Sequence, residues 1–168
     1  METLVHLSLG SNLGNRGAHL REAQRRLGAV GRVAAVSSFY ETEPVELTEQ
    51  PWFLNCAVAL ETRLTLRELM TAILGIEEAM GRQRVQKKGP RVIDIDILLF
   101  GNAVLDSAEL TVPHPAMHER RFVLEPLAEI APEARHPVFD KTIRELRDAL
   151  PSGAMVRKLK NRATDLTH

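Results

Sequence analysis

The spacing of apolar residues predicts four β-strands and two helices up to residue 100. Val5, Leu7 and Leu9 alternate with other residues, which is the two-residue period of a strand with one buried face. Similar patterns predict strands at residues 33–40, 52–61 and 92–100. A helical period predicts one apolar stripe at Leu20, Ala23, Leu27 and Val30 and another at Leu66, Leu69, Met70, Ile73 and Met80.

The order of these elements is that of a ferredoxin-like α+β fold. Strand, helix, strand, strand, helix, strand (βαββαβ) predicts an antiparallel sheet with both helices packed on it. Thr65 and Glu68 predict a capping box at the start of the second helix, and Gly81 predicts its left-handed end. Beyond residue 101, Pro126 is expected to open a short helix and Asp140 to cap another, which gives a C-terminal helical extension.

Composition narrows the class of protein. The 168 residues suit a single domain, expected at 1–151, followed by a polar, basic tail at 152–168. The single cysteine, Cys56, is expected to be a small core residue. The sequence shows neither a signal-peptide pattern nor a membrane-length apolar run, so a cytoplasmic location is expected. Lysine plus arginine equal aspartate plus glutamate, 22 against 22, which argues against a nucleic-acid-binding protein.

Two carboxylates inside an apolar strand are the strongest chemical feature. Asp94 and Asp96 are two residues apart, so both side chains are expected on one face of the strand. Neighbouring carboxylates repel each other unless a cation joins them, and magnesium commonly takes one or two carboxylates together with phosphate oxygens. The alternative is a pair of solvent-facing aspartates on an exposed sheet face.

Cationic residues are concentrated just before this strand. The segment 82–91 contains five of them and no acid: Arg82, Arg84, Lys87, Lys88 and Arg91. Arginine forks match phosphate oxygens, so a phosphate site is one interpretation, and a solvated loop or an ion-pair network is the other. Glu77 lies near the middle of the second helix's apolar stripe, where a carboxylate is paired, chemically active or at the stripe's edge.

Other residues are weaker candidates. Phe53 and Asn55 share a strand face, and a ring beside an amide suits a flat heterocycle, although such pairs also simply pack. Phe122 offers a second ring. His114 lies between two prolines in a stiff loop with Arg120 nearby, but a lone histidine is usually structural.

Several motifs follow one another in an order typical of one enzyme family. The most specific is KKGPRVIDIDIL at residues 87–98. Others are LGSNL at 9–13, SSFYET at 37–42, FLN at 53–55 and LTVPH at 110–114, and residues 120–131 are similar to the family's closing segment. Together they resemble the 6-hydroxymethyl-7,8-dihydropterin pyrophosphokinase family over most of the chain.

The resemblance implies an activity and a set of site residues. It implies a ferredoxin-like kinase of folate biosynthesis that transfers diphosphate from ATP to the pterin's hydroxymethyl group, releasing AMP, with two magnesium ions. Asp94 and Asp96 are implied to hold the metals, and Arg82 and Arg91 to act in catalysis. The implied ATP contacts are Glu77, Arg84, Ile97, Thr111, His114 and Arg120. The implied pterin contacts are Thr42, Val45, Phe53, Asn55 and Phe122.

One departure from the family and two other functions stay open at this point. Lys88 stands where family members often carry tryptophan before Gly89-Pro90-Arg91. The chain is alternatively a non-catalytic pterin- or nucleotide-binding relative, or a two-metal phosphotransferase acting on nucleic acid. The expected partners are the small molecules ATP and pterin, with no nucleic acid, no membrane, and a monomeric or weakly dimeric state.

Overall fold

The computed structural model describes residues 1–42, 52–82, 91–151 and 156–159. The strands in these ranges are β1 (Thr3–Ser11), β2 (Arg32–Val36), β3 (Tyr40–Thr42), β4 (Phe53–Thr62), β5 (Asp94–Phe100), β6 (Leu105–Asp106), β7 (Thr111–Val112), β8 (Arg135–His136), β9 (Lys141–Thr142) and β10 (Val156–Lys158). The helices are α1 (Arg16–Leu27), α2 (Leu66–Ala79), α3 (Arg121–Ile130) and α4 (Ile143–Asp148), with a 3-10 turn at Met117–Glu119.

One antiparallel sheet forms the centre of the fold. Its strands lie in the order β10, β3, β4, β1 and β5, and β2 pairs with the part of β4 beyond β3. The pairs β6–β7 and β8–β9 form two small separate sheets. No helix of the described ranges is long and apolar enough to cross a bilayer.

Helices cover both faces of this sheet. On one face, α1 and α2 pack against a core that includes Leu7, Cys56, Ile95 and Ile97. On the other face, α3 and α4 pack against a second cluster that includes Leu98. Alternate side chains of β1, β4 and β5 fill the first core, whereas Ala57, Leu98 and Leu99 are the residues of these strands in the second cluster. The prediction that Cys56 is a small core residue is confirmed.

Local signals define the start and end of α2. Thr65 Oγ1 accepts from the Glu68 backbone N–H (3.1 Å), and a Glu68 carboxylate oxygen accepts from the Thr65 N–H (2.8 Å). Gly81 has a φ of 92° after the last turn. The capping box and the left-handed glycine that the sequence predicted are both confirmed.

The strand predicted at residues 33–40 is wrong as a single element. Ser37 interrupts it, because its backbone N–H donates to the Ala57 carbonyl (2.9 Å) while its hydroxyl accepts from the Ala57 N–H (2.8 Å). Beyond this break, Ser38 and Tyr40 donate hydrogen bonds to the Glu129 carboxylate of α3. These contacts join the sheet to the second helix layer.

Two predicted helix starts in the C-terminal half are also wrong. Pro126 lies inside α3 rather than at its start, since Val123, Leu124 and Leu127 on both sides of it are buried in the second cluster and hold the helix together. Thr142, not Asp140, caps α4; Asp140 has a φ of 54° in the turn between β8 and β9.

Part of the segment predicted as a polar tail forms a strand. β10 pairs antiparallel with β3, so that Val156, Arg157 and Lys158 lie opposite Thr42, Glu41 and Tyr40. The Leu159 N–H donates to the Phe39 carbonyl (2.9 Å), and the Leu159 side chain packs against the first core. Sequence reasoning missed this strand because its partners lie more than a hundred residues earlier in the chain.

Candidate active site

The two aspartates of β5 lie on the sheet face away from α1 and α2. Asp94 is opposite Gly10 of β1 and Asp96 is opposite Ser8, while Ile95 and Ile97 point into the first core. The prediction of a shared face is therefore confirmed. Burial, together with the negative charge of Asp94, raises the pKa of Asp96 to about 7, so a cation at this point relieves an unfavourable arrangement.

Arginines occupy the outer side of Asp94. Arg82 Nη1 donates to Asp94 Oδ1 (2.9 Å) and to Glu77 Oε2 (2.8 Å), and Arg91 Nη1 lies 3.4 Å from Asp94 Oδ2. The Nε atoms of Arg82 and Arg91 are buried and have no hydrogen-bond partner among the described residues. A buried, unsatisfied guanidinium N–H is costly, and an anionic ligand would satisfy it.

Glu77 accepts hydrogen bonds both from an arginine and from the edge strand of the sheet. Its side chain is buried, with a relative exposure of 2% for the residue. Its Oε2 also accepts from the backbone N–H of Ile95 (2.8 Å) on the outer edge of β5. Of the three interpretations of Glu77, the structure therefore confirms that it is a paired carboxylate.

Asn12 is a site residue to which the sequence analysis gave no role. Its Oδ1 accepts from the Arg91 backbone N–H (2.7 Å), and its own N–H donates to the Arg91 carbonyl (3.1 Å). This double contact fixes the backbone from which the Arg91 side chain reaches Asp94. The signal was present in the LGSNL motif, but nothing in the sequence connected it to residue 91.

The donor set at the two aspartates suits magnesium better than an all-protein metal cage. Within the described ranges no group of three or more His, Cys, Asp or Glu side chains could hold a metal ion. Magnesium is commonly bound by one or two carboxylates and completes its octahedron with water and phosphate oxygens. Asp94 and Asp96 offer that number of hard oxygen ligands.

A cavity of about 200 Å³ opens beside Asp96. Its lining brings together four residues that the sequence selected for the metal and ATP, namely Asp96, Ile97, Thr111 and His114, with Met70, Ile95, Glu109, Leu110 and Pro115 around them. Apolar walls with a few polar groups among them are typical of a site for a small organic ligand.

His114 is held in a defined state at this cavity. Its backbone N–H donates to the Leu98 carbonyl (2.9 Å), and its Nδ1 accepts from the Ala116 N–H (3.1 Å). Burial and the positive charge of Arg120 lower the pKa of His114. The neutral ring consequently carries its proton on Nε2, which is left as a hydrogen-bond donor.

A second group of the predicted site residues lies across the sheet from Asp94. Asp94, Gly10, Asn55 and Tyr40 are opposite one another on four adjacent strands. Asn55 is buried and its Nδ2 donates to Thr42 Oγ1 (2.9 Å). Thr42 in turn pairs with Phe53, so three of the four predicted pterin contacts among the described residues form one cluster.

Gly10 leaves the space on which this cluster depends. A Cβ atom at Gly10 would lie 2.8 Å from Asn55 Oδ1 and 3.5 Å from the Phe53 ring. The first distance is shorter than real Cβ contacts allow, so any side chain at this position displaces Asn55. Glycine is therefore required here by close approach rather than by its backbone angles.

The remaining predicted site residues are placed as follows. The Arg120 guanidinium lies 5.6 Å from the centre of the Phe122 ring, and its charge acts on both Asp96 and His114. Phe122 packs against the second core cluster and makes no ring contact with Phe53. Arg84 and Val45, as well as Lys88, lie outside the described residues.

Comparison with known proteins agrees with this geometry. Residues 6–132 match the family model described as 7,8-dihydro-6-hydroxymethylpterin-pyrophosphokinase. The chain is 46% identical to a 2-amino-4-hydroxy-6-hydroxymethyldihydropteridine pyrophosphokinase of Methylorubrum extorquens, covering 90% of this chain and 96% of that protein. It is also 46% identical to the protein of that name from Bacillus subtilis, with 77% and 79% covered.

Longer proteins contain a similar region. A folic acid synthesis protein of Schizosaccharomyces pombe is 41% identical over 89% of this chain, which spans 21% of its length. In a crystal structure of Plasmodium falciparum HPPK-DHPS, the matching region has a TM-score of 0.71 at 18% identity and covers 88% of this chain but 45% of that one. This second likeness shows a shared fold of mixed helices and antiparallel sheet. By its sequence match over more than half its length, the chain belongs to the 7,8-dihydro-6-hydroxymethylpterin-pyrophosphokinase family.

Proposed function

We propose that this chain transfers diphosphate from ATP to the hydroxymethyl group of 6-hydroxymethyl-7,8-dihydropterin in folate biosynthesis. The observation that carries the proposal is the position of the aspartate pair. Asp96 borders the 200 Å³ cavity, and Asp94 begins the row that leads through Gly10 to Asn55. A donor nucleotide in the cavity and a flat acceptor on the sheet would meet at these carboxylates. The relatives do not favour the two alternative functions.

Each side of the site has a proposed ligand. We assign Ile97, Thr111, His114, Arg120, Glu77 and Arg84 to the ATP side, and Thr42, Val45, Phe53, Asn55 and Phe122 to the pterin side. The cavity supports the first assignment, since three of these residues line it. The Asn55–Thr42 hydrogen bond supports the second, because it leaves the amide oxygen and the Phe53 ring side by side at Gly10.

We propose that Asp94 and Asp96 bind two magnesium ions. Bound there, magnesium would neutralise the triphosphate and lower the proton affinity of the attacking hydroxyl. The raised pKa of Asp96, which is caused by burial and then by the charge of Asp94, supports this assignment, since a bound cation would stabilise the charged form of both carboxylates.

The protein's own residues would align the reactants and stabilise charge. The pterin oxygen bonds to the β-phosphorus while the bond from that phosphorus to the oxygen of the departing AMP breaks, and the hydroxyl proton is released. Arg82 and Arg91 both form ion pairs with Asp94. We propose that both guanidinium groups contact phosphate oxygens when ATP is present, where they stabilise the charge of the transition state. Glu77 and Asn12 hold these arginines in place.

The architecture supports a ferredoxin-like core. If the four predicted strands are numbered along the chain, the fourth, first and third correspond to β5, β1 and β4. These three strands are adjacent and antiparallel in the sheet, and α1 and α2 pack on one of its faces. We propose that the other helices and β10 extend this core. A cytoplasmic location, a division at residue 151 and a monomeric or weakly dimeric state stay predictions from the sequence.

Product identification tests the reaction. The purified chain, magnesium, ATP and the pterin alcohol should give AMP and a pterin whose mass has increased by a diphosphoryl group. An Asp96→Ala variant should give neither product while remaining folded by circular dichroism. Release of ADP, or no reaction by the unmodified chain, would contradict the proposal.

A further inference from the structure

Four side chains form a charged and aromatic network at the end of the sheet where β3 and β10 pair. Arg16 Nη2 donates to Glu41 Oε2 (2.7 Å), and Arg16 Nη1 donates to the Trp52 carbonyl (3.0 Å). Arg157 of β10 donates to the other oxygen of Glu41. The Arg157 guanidinium also lies 5.8 Å from the centre of the Trp52 ring. The network joins α1, β3, the start of β4 and the C-terminal strand, which are separate in sequence.

The network is partly shielded from water at its centre and open at Arg157. The side chains of Arg16 and Glu41 are 11% and 12% exposed, whereas that of Arg157 is 60% exposed. Burial alone would raise the pKa of Glu41, but hydrogen bonds from Arg157 and Arg16 outweigh it and lower the pKa. Glu41 is consequently a charged carboxylate bound from two sides, which fixes the backbone of β3.

This fixed backbone belongs to the proposed pterin surface. Glu41 directly precedes Thr42, whose hydroxyl oxygen accepts a hydrogen bond from the Asn55 side-chain amide. Trp52 directly precedes Phe53. Successive strand residues point to opposite faces, so Glu41 lies behind the sheet while Thr42 lies on the ligand face. Thr42 is also opposite Phe53 across the β3–β4 pair, and Val156 of β10 is opposite Thr42 on its other side.

We propose that Arg157 is a positioning residue for the pterin side of the site. It touches no substrate and acts through Glu41 and Trp52, which hold Thr42 and Phe53 in register. The inference rests on the proposed location of the pterin on this face. Because coupling between two sites is reciprocal, pterin binding must also stabilise the docking of β10 on β3.

The test compares two arginine variants of the full-length enzyme. Arg157→Ala removes one contact to Glu41, and Arg135→Ala is a matched control, since Arg135 is equally exposed (60%) and contacts a carboxylate, Asp140, elsewhere. We expect Arg157→Ala to raise KM for the pterin roughly three- to tenfold, as for loss of one of two charged hydrogen bonds to a shielded carboxylate. KM for ATP should change less than about twofold, and Arg157→Lys should recover part of the loss.

Asn55→Ala separates failure of this inference from failure of the pterin assignment. If Asn55→Ala raises KM for the pterin and Arg157→Ala behaves like Arg135→Ala, the positioning role is refuted alone. If neither variant affects that KM, the pterin face itself is misplaced. A parallel rise of both KM values in Arg157→Ala also overturns the inference, because it indicates a general structural effect. Hydrogen exchange supplies the reciprocal readout: bound pterin should slow exchange of the amides of 156–159 in the unmodified enzyme.

Discussion

Replacing Asp96 by asparagine should stabilise the metal-free protein while it abolishes turnover. The substitution keeps the size of the side chain and removes its charge. In the folded chain, burial and the nearby charge of Asp94 raise the pKa of Asp96 from 3.8 to about 7. The charged carboxylate is thus less favourable in the folded state than in the unfolded state, and the neutral amide avoids that cost.

The size of the effect follows from the two pKa values. A tenfold change in proton affinity is worth about 1.4 kcal/mol, so the shift from 3.8 to about 7 corresponds to at most about 4–5 kcal/mol. Asp96 retains some contact with solvent and feels the positive charges of Arg120 and Arg82. We therefore expect a gain in the free energy of unfolding of roughly 1–3 kcal/mol at about pH 8.

The sign of the pH dependence distinguishes this explanation from a packing effect. Between pH 3.8 and about 7 the folded state binds more protons at Asp96 than the unfolded state does, so the contribution of Asp96 to the stability of the unmodified protein falls as the pH rises through this range. The stability difference between variant and unmodified protein should thus grow from about pH 4 to about pH 7 and then level off.

Urea denaturation in buffer containing a chelator measures this difference. Unfolding curves of both proteins at about pH 5 and about pH 8 should show the larger gain at the higher pH. Magnesium with an ATP analogue should then stabilise the unmodified protein more than the variant. An asparagine variant that is less stable at both pH values, or a gain independent of pH, would refute the reasoning.

Three further substitutions test other parts of the site. Gly10→Ala should raise KM for the pterin, because the added Cβ displaces Asn55. Gly75→Ala is the control: its Cβ meets nothing within 4 Å, so it should leave the kinetics unchanged and stabilise α2 by about 0.5–1 kcal/mol. Equal kinetics for the two variants would contradict the close contact at Gly10. Arg91→Ala should depress kcat more than it raises KM for the pterin, and the reverse pattern would reassign Arg91 to substrate binding. Glu77→Ala should lower the free energy of unfolding by about 2–3 kcal/mol in urea titrations, since it removes one of the two carboxylates that Arg82 contacts and leaves the buried Ile95 N–H without its acceptor; an unchanged midpoint would contradict that role.

Local sequence signals predicted the parts of the fold that depend on neighbours in the chain. The alternation in residues 92–100 correctly placed both aspartates on one face, and the spacing of Thr65 and Glu68 correctly placed the start of α2. Such signals work because side-chain direction and capping depend on residues only a few positions apart. The start of α3 at Arg121 was missed because tertiary packing outweighed the helix-breaking effect of Pro126. The start of α4 at Ile143 was missed because a capping box at Thr142, rather than Asp140, caps the helix.

Contacts between distant segments could not be predicted from local pattern. The pairing of Glu41 with Arg157 spans 116 residues, and that of Tyr40 with Glu129 spans 89. Neither pair carries a spacing rule, because the sheet register and the position of α3 bring the residues together. Likewise, the sequence pattern indicated Arg91 as a site residue but gave no reason to place Asn12 beside it, and only the fold brings the two together.

The central claim is that Asp94 and Asp96 together hold the cations that accompany ATP. Titration with Mn²⁺, a paramagnetic substitute for magnesium, in the presence of a non-hydrolysable ATP analogue measures this directly by electron paramagnetic resonance. The account predicts two bound ions per chain in the unmodified protein and loss of tight binding in both Asp94→Ala and Asp96→Ala. Unchanged Mn²⁺ binding in either variant would contradict it.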